Sequence, residues 1–246
     1  MAGKTIRGVN GPRRIRFAAL VATAAIAAGG ADLGAEASAM PAADASPLAA
    51  ERPAREFRGS VERLPAKLRR RMTGVSWHRG CPVGLGDLRL LKASHIDFHG
   101  RARQGRLVVN EDYAKGMHRV LRRLYVKRFP VRRMELIDRY GGDDHRSMHD
   151  DNTSAFNCRF VNGTTRWSMH AYGKAIDINP RENPYVSGSY VSPPEGRPYA
   201  DRSDKRKGML YRHGTVAQAM KRIIGWKWAG NWPGARDYQH FSSTGH

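Results

Sequence analysis

Residues 168–180 read SMHAYGKAIDINP. Ile176 and Ile178 alternate with Asp177, and this period of two predicts a strand that buries the isoleucines and directs the carboxylate to the opposite face. Gly173 permits a tight bend, so that His170 and Asp177 can approach one point. A carboxylate within an aliphatic strand is costly unless it is paired or binds a cation. His170 and Asp177 are therefore candidate metal ligands.

A second Ser-Met-His triplet occupies residues 147–149. Its histidine, His149, lies in a polar run that contains several aspartates and hardly any aliphatic residues to hold it rigid. We interpret residues 141–154 as a solvated loop, and we expect His149 to bind no metal.

A third ligand is available near the C-terminus. A catalytic zinc takes three protein ligands and leaves a fourth position for water. The segment WKWAGNWPGARDYQHFS offers His240 between aromatic residues, with Asp237 three residues earlier. From the residues alone, His170, Asp177 and His240 form a possible zinc trio. The alternative is a buried or surface salt bridge of the same residues without a metal.

The N-terminus has the three-part layout of a secretory signal peptide. A basic stretch precedes the twelve-residue apolar run 17–28, and Ala37-Ser38-Ala39 fits a cleavage site. The run is too short to cross a bilayer by itself, although an uncleaved amphipathic anchor is the alternative. The mature protein would be secreted or associated with the cell wall, without a transmembrane helix. We predict a signal peptide at 1–39, a flexible linker at 40–63 and one folded domain at 64–246.

The chain contains two cysteines, Cys81 and Cys158. An oxidising compartment favours joining them as a disulfide, whereas a zinc-thiolate site would need clustered cysteines. Two free buried thiols are the alternative.

The charge is strongly basic, with a formal net value of +21. The first 39 residues contribute +3, so the remainder carries +18. This charge predicts a polyanionic environment, such as nucleic acid, anionic lipid or cell-wall polymers. A nucleic-acid partner is not expected, because the signal peptide directs export and no recognition motif is present.

The periodicities predict one α+β domain, with a small and mostly antiparallel sheet and flanking helices. Segment 181–212 is rich in Gly, Pro, Tyr and Ser and shows little periodicity, so it is a groove wall, a lid or disordered. The helices are expected from residue 64 to 72, after the capping residue Asn110, and at 214–224. The strands are expected at 105–110, 131–140, 155–160, 226–228 and 237–242.

The two motifs together resemble a known family. The pattern S-x-H-x-x-G-x-A-x-D at 168–177, followed by W-x-W-x-G-x-W and D-x-x-H-F at 226–241, is similar to the zinc D-Ala-D-Ala carboxypeptidases and L-alanyl-D-glutamate peptidases. These enzymes cleave peptidoglycan and share their core fold with the hedgehog signalling domain. The likeness runs from about Trp77 to Phe241, and Ala229 stands where the family pattern has glycine.

The resemblance implies a role for each site residue. His170, Asp177 and His240 would bind Zn²⁺, and Asp237 would be the general base. Arg159 would lie near the scissile carbonyl, and Ser168 would lie beside the substrate.

The resemblance also implies a D-Ala-D-Ala carboxypeptidase or an L-Ala-D-Glu endopeptidase that hydrolyses peptidoglycan stem peptides through a zinc-activated water. The expected protein is a monomer, and anionic cell-wall polymers are possible further partners. The alternative is a non-catalytic wall-binding module that retains the fold. Such a module would have no need of the base Asp237.

Overall fold

The computed structural model describes residues 56–246. The predicted signal peptide at 1–39 and residues 40–55 of the predicted linker lie outside this range. Among the described residues, none of the helices combines the length and apolar character that a membrane span requires.

The first half of the described chain forms a three-stranded sheet, a parallel pair of short strands and three helices. Its elements are β1 (Gly59–Arg63), α1 (Ala66–Met72), β2 (Leu88–Ile96), β3 (Ala102–Asn110), α2 (Glu111–Val126), β4 (Arg133–Met134), α3 (Asp144–His149) and β5 (Asn152–Thr153).

The second half consists of short strands around one helix. Its elements are β6 (Ala175–Asp177), β7 (Tyr185–Ser187), β8 (Tyr190–Ser192), α4 (Thr215–Ile224), β9 (Lys227–Trp228), β10 (Arg236–Asp237) and β11 (His240–Ser242).

Strands β1, β2 and β3 form an antiparallel sheet in that order. Leu91 and Leu107 are paired across β2 and β3, and both are buried. The predicted linker at 40–63 is wrong at its C-terminal end, because residues 59–63 form β1 and pair with β2 along their whole length. The sequence of β1 has no strong apolar pattern, and its pairing depends on the β2 edge that the folded chain provides.

Helices α2 and α4 form as predicted; α2 packs on this sheet, and α4 packs against α2. Asn110 caps α2 by accepting a hydrogen bond from the Asp112 amide at 3.1 Å, which satisfies one of the free amides of the first turn. Helix α4 ends at Gly225, whose φ of +73° suits a left-handed C-cap. The apolar faces of both helices share one core with β2, β3, Trp226 and Phe241.

Two predicted strands are wrong. Only residues 133–134 of the predicted strand 131–140 extend beside β5, and Ile137–Tyr140 is a short 3₁₀ helix. Residues 155–160 form no strand because their amides bond to separate segments: Phe156 donates to Val108, Asn157 to His170 and Cys158 to Ser76.

The predicted loop 141–154 is also wrong in part, because it contains α3. Asp143 caps this helix by accepting from the Arg146 amide at 3.0 Å. The same short polar side chains that suggested a loop are good N-caps.

The remaining strands form two further antiparallel sheets, ordered β6–β11–β9 and β10–β7–β8. The α+β class is therefore confirmed, with the strands distributed over several small sheets. Segment 181–212, which showed little periodicity, contributes the β7–β8 hairpin that supports β10.

The predicted disulfide is present and joins Cys81 to Cys158, with their Cα atoms 6.0 Å apart. Cys158 directly precedes Arg159, and its amide donates to the Ser76 carbonyl at 2.9 Å. The bridge therefore ties the segment before β2 to the segment that carries Arg159.

We expect removal of the disulfide to destabilise the protein. The bridge spans 77 residues, for which the chain-entropy model gives about 4 kcal/mol, and measured values are commonly smaller. Urea unfolding of Cys81→Ser/Cys158→Ser should show a lower midpoint than the oxidised wild type. Thiol labelling of unreduced, denatured wild type should find no free cysteine, and two labelled thiols would contradict the bridge.

Candidate metal centre

The register between β6 and β11 brings two polar side chains together. Asp177 lies directly opposite His240 in this antiparallel pair, and directly opposed residues project on the same face of a sheet. The neighbours Ile176 and Phe241 are also opposed and are completely buried on the other face. The aliphatic residues thus anchor the strands and leave Asp177 and His240 on the face toward His170.

His170 is held by the 3₁₀ helix Met169–Tyr172. Ser168 caps this turn by accepting from the His170 amide at 3.3 Å. Gly173 ends the turn with a φ of +65°, and a Cβ there would lie 2.6 Å from the Asn110 amide nitrogen. Asn110 also binds the turn directly, donating from its side chain to the Tyr172 carbonyl at 3.2 Å and from its amide to the Gly173 carbonyl at 2.9 Å.

The ring orientations of the two histidines follow from their contacts. Nδ1 of His170 donates to the Ala155 carbonyl at 2.5 Å, so its Nε2 carries the lone pair and faces the site. That Nε2 lies 3.1 Å from Oδ2 of Asp177 and 3.3 Å from Nδ1 of His240. Nδ1 of His240 lies 2.9 Å from Oδ1 of Asp177.

These contacts leave the trio incompletely satisfied without a cation. If Nδ1 of His240 carries the proton, it donates a hydrogen bond to Asp177. Nε2 of His170 then faces the same carboxylate with a lone pair and no hydrogen between them. A proton on Nε2 of His240 finds no acceptor, because this atom is buried without a hydrogen-bond partner. A cation where Nε2 of His170, Nδ1 of His240 and an oxygen of Asp177 converge would bind all three donor atoms, with the proton of His240 left on its unpartnered Nε2.

The spacing and chemistry of the donor set fit zinc. Two nitrogens and a carboxylate oxygen are common ligands of a catalytic zinc, and bonds of about 2.0–2.2 Å in a tetrahedron separate ligand atoms by roughly 3.3 Å. The observed separations run from 2.9 to 3.3 Å. All three side chains are buried, which reduces competition from bulk water for the ligand atoms.

Asp177 is charged in this environment. Burial by itself raises the pKa of the carboxyl group, but the adjacent His170 and His240 outweigh burial and hold the pKa well below its usual range. The site therefore presents an ionised oxygen ligand.

Asp237 lies beside the trio on a different strand. It ends β10 and pairs with Tyr185 of β7, whereas His240 begins β11. The predicted single strand 237–242 is thus two strands in two sheets, and the bend between them lets both side chains approach one site. Oδ1 of Asp237 is buried without a hydrogen-bond partner. Burial first, and then the charge of Asp177, raise the pKa of Asp237 to about 6.

Arg159 lies within electrostatic reach of this site, since its positive charge lowers the pKa of Asp237 against the larger effect of burial. Its guanidinium is paired with Asp144, with Nη2 at 2.6 Å from Oδ2. Its Nε is buried and has no partner. Asp144 is not among the site residues predicted from the sequence. Its position directly after the N-cap Asp143 is the signal that could have indicated a carboxylate held in place by a helix.

The remaining predicted residues lie outside the trio. Ser168 is buried and its hydroxyl caps the turn of His170, so a contact with substrate stays a prediction. His149 is exposed at the end of α3 and contacts Glu195 at 2.7 Å. Within residues 56–246, a second group with metal-ligand geometry contains His78 and the two cysteines, but its sulfur atoms are joined in the disulfide.

The aromatic residues before His240 divide between core and site. Trp226 and Trp228 are buried in the main core. Trp232 is partly exposed, and its ring centroid lies 6.3 Å from that of His240. Trp232 therefore lies beside the trio with part of its surface exposed.

Comparison with known families finds a match in the C-terminal third of the chain. Residues 162–243 match the family model of D-alanyl-D-alanine carboxypeptidases. The match confirms the resemblance drawn from the motifs and supports peptidase activity. It contains the three trio residues, Asp237 and Ser168, whereas Arg159 lies just before it. No curated protein and no solved structure shows a significant match.

We expect the protein to bind about one zinc ion per chain. His170→Ala and His240→Ala each remove one of the three donors and should abolish stoichiometric binding, measured by metal analysis after dialysis. His149→Ala, the matched histidine of the other Ser-Met-His triplet, should retain the metal. Equal zinc contents in all three variants would contradict the site.

Proposed function

We propose that the protein is an exported zinc peptidase that hydrolyses peptide bonds in peptidoglycan stem peptides, of the D-Ala-D-Ala carboxypeptidase or L-Ala-D-Glu endopeptidase type. The observation that carries the proposal is the convergence of His170, Asp177 and His240 beside the unpartnered carboxylate of Asp237. The carboxypeptidase family match over the same residues supports it.

Zinc is the cofactor that the donor set supports best. His170 through Nε2, His240 through Nδ1 and one oxygen of Asp177 would hold it. When bound, zinc supplies a Lewis acid that activates water and polarises the scissile carbonyl. The hydrogen bond from His170 to the Ala155 carbonyl fixes the ring for this role.

Asp237 is the proposed general base. Its Oδ1 has no hydrogen-bond partner in the protein, so it is free to accept a proton from the attacking water. The same carboxyl group can return the proton to the leaving amine. A ligand role is not needed for Asp237, because the trio already supplies three protein donors.

Arg159 is proposed to stabilise negative charge that develops on the carbonyl oxygen. Its ion pair with Asp144 fixes one edge of the guanidinium, while Nε carries a hydrogen without an acceptor. Loss of one such donor typically reduces the rate by about 100- to 1,000-fold. Asp144 would then act through Arg159 as a positioning residue.

Export is supported by two independent features. The basic, apolar and small-residue segments of 1–39 follow the signal-peptide order. The Cys81–Cys158 bridge is typical of proteins that fold in an oxidising compartment. The net charge of +18 beyond residue 39 suits a cell wall that carries anionic polymers.

The proposal is tested by incubating the purified protein with muropeptides that carry pentapeptide stems and identifying the products by mass. Release of terminal D-alanine would indicate the carboxypeptidase, and separation after L-alanine the endopeptidase. A chelator should stop the reaction and added zinc should restore it. If neither bond is cleaved by zinc-loaded protein, the proposed function is wrong.

Two matched substitutions separate the base from the ligand. Asp237→Asn keeps the size of the side chain but cannot accept the proton, so we expect it to fold, retain zinc and lose turnover by about 100- to 10,000-fold. Asp177→Asn should lose zinc, because a neutral amide is a poorer ligand than a carboxylate. Near-normal hydrolysis by Asp237→Asn would make Asp237 structural, and loss of zinc from that variant would make it a ligand.

A further inference from the structure

A cavity of about 460 Å³ lies between α2 and α4, on residues that the proposed mechanism does not use. We call it the basic groove, since its polar lining is cationic or neutral and contains no carboxylate. It is lined by Arg123, His213, Thr215, Gln218, Ala219, Arg222 and Ile223.

Helix α2 extends the groove with a regular cationic stripe. Lys115, Arg119, Arg123 and Lys127 recur every four residues, and all four are exposed. Like charges at this spacing destabilise a helix, and acidic residues between them would relieve the repulsion. The stripe has no such relief, and it extends over about 18 Å at the rise of an α-helix.

The cations of the stripe have no carboxylate partner, whereas some cations elsewhere in residues 56–246 have one. Among residues 56–246, Arg89, Arg106 and Arg132 all have carboxylate partners, as do several others. No ion pair of the described residues involves the stripe or Arg222 of the groove. Both acidic residues of α2 lie in its first turn and contact cations outside the helix, namely Arg89 and Lys174.

The groove also lies at the start of α4. Gly214 precedes this helix and offers no side-chain cap, and the first turn contains no acidic residue. Amides of an uncapped first turn attract anions. Thr215 of this turn lines the groove together with the two arginines.

From the cavity, the unpaired stripe and the open helix start, we propose that the basic groove binds a phosphodiester-linked polymer of the cell wall. Guanidinium groups bind phosphate oxygens in pairs, and a row of them fits phosphates repeated along a chain. The choice of a wall polymer over nucleic acid rests on the proposed function. Binding of this polymer to the basic groove would keep the peptidase close to the peptidoglycan that it is proposed to hydrolyse.

The test uses fluorescent poly(glycerol phosphate) and measures anisotropy at several salt concentrations. Arg119→Gln/Arg123→Gln/Arg222→Gln should bind at least about 10-fold more weakly, and the dependence of log affinity on log salt should become shallower by roughly 2 to 3 units. The matched control, Arg63→Gln/Lys67→Gln/Arg70→Gln, removes the same charge from exposed positions near α1. It should change the affinity by less than about 3-fold.

Equal losses in the two triple variants would overturn the proposal, because net charge alone would then explain binding. Tighter binding of a DNA duplex or of phosphatidylglycerol vesicles, lost in the same groove variant, would also overturn it. Thermal unfolding should be measured to check that both triple variants fold. The groove variant, Arg119→Gln/Arg123→Gln/Arg222→Gln, should be at least as stable as the wild type because like-charge repulsion is removed.

A second readout separates this proposal from the proposed function. The groove variant should hydrolyse a short soluble stem peptide normally and should lose activity only on walls that retain their phosphate polymer. The groove variant and the wild type should cleave walls stripped of that polymer equally. If no substrate is cleaved at all, the peptidase assignment fails while the binding measurement still decides the groove.

Discussion

The antiparallel register of β6 and β11 is the constraint on which the site depends. It sets Asp177 opposite His240, and the opposed aliphatic and aromatic neighbours are locked in the core. A slip of β6 by one residue would move Asp177 to the core face and leave an unpaired carboxylate among apolar side chains. The core therefore enforces the register, and the register positions two of the three donor atoms.

The third donor depends on a junction elsewhere in the chain. Asn110 caps α2 and binds the turn that holds His170, so the main helix and the site share one residue. Segment 154–159 lies between them, bonding to Asp177 through Ser154 and to His170 through Ala155 and Asn157. Because the disulfide fixes the end of this segment, the covalent bridge also restrains Arg159.

The charges of the protein are arranged in two distinct ways. Around the trio the charged groups are few, and the buried Oδ1 of Asp237 is left without a hydrogen-bond partner. On α2 and α4 the cations are exposed and unmatched, which favours contact with an extended anion over a fixed internal partner. The first arrangement suits chemistry at one bond, and the second suits retention near a polymer.

The sequence alone determined the elements and residues whose signal is local. The α2 and α4 periodicities, the Asn110 cap, the alternation around Asp177 and the pair of motifs predicted the α+β class, the family and the convergence of His170, Asp177 and His240. The tertiary structure decided the pairing of β1, the absence of strands at 131–140 and 155–160, the division of 237–242 between two sheets and the contact of Asp144 with Arg159. These features depend on hydrogen bonds and ion pairs between residues far apart in the chain, and only the folded backbone brings such partners together.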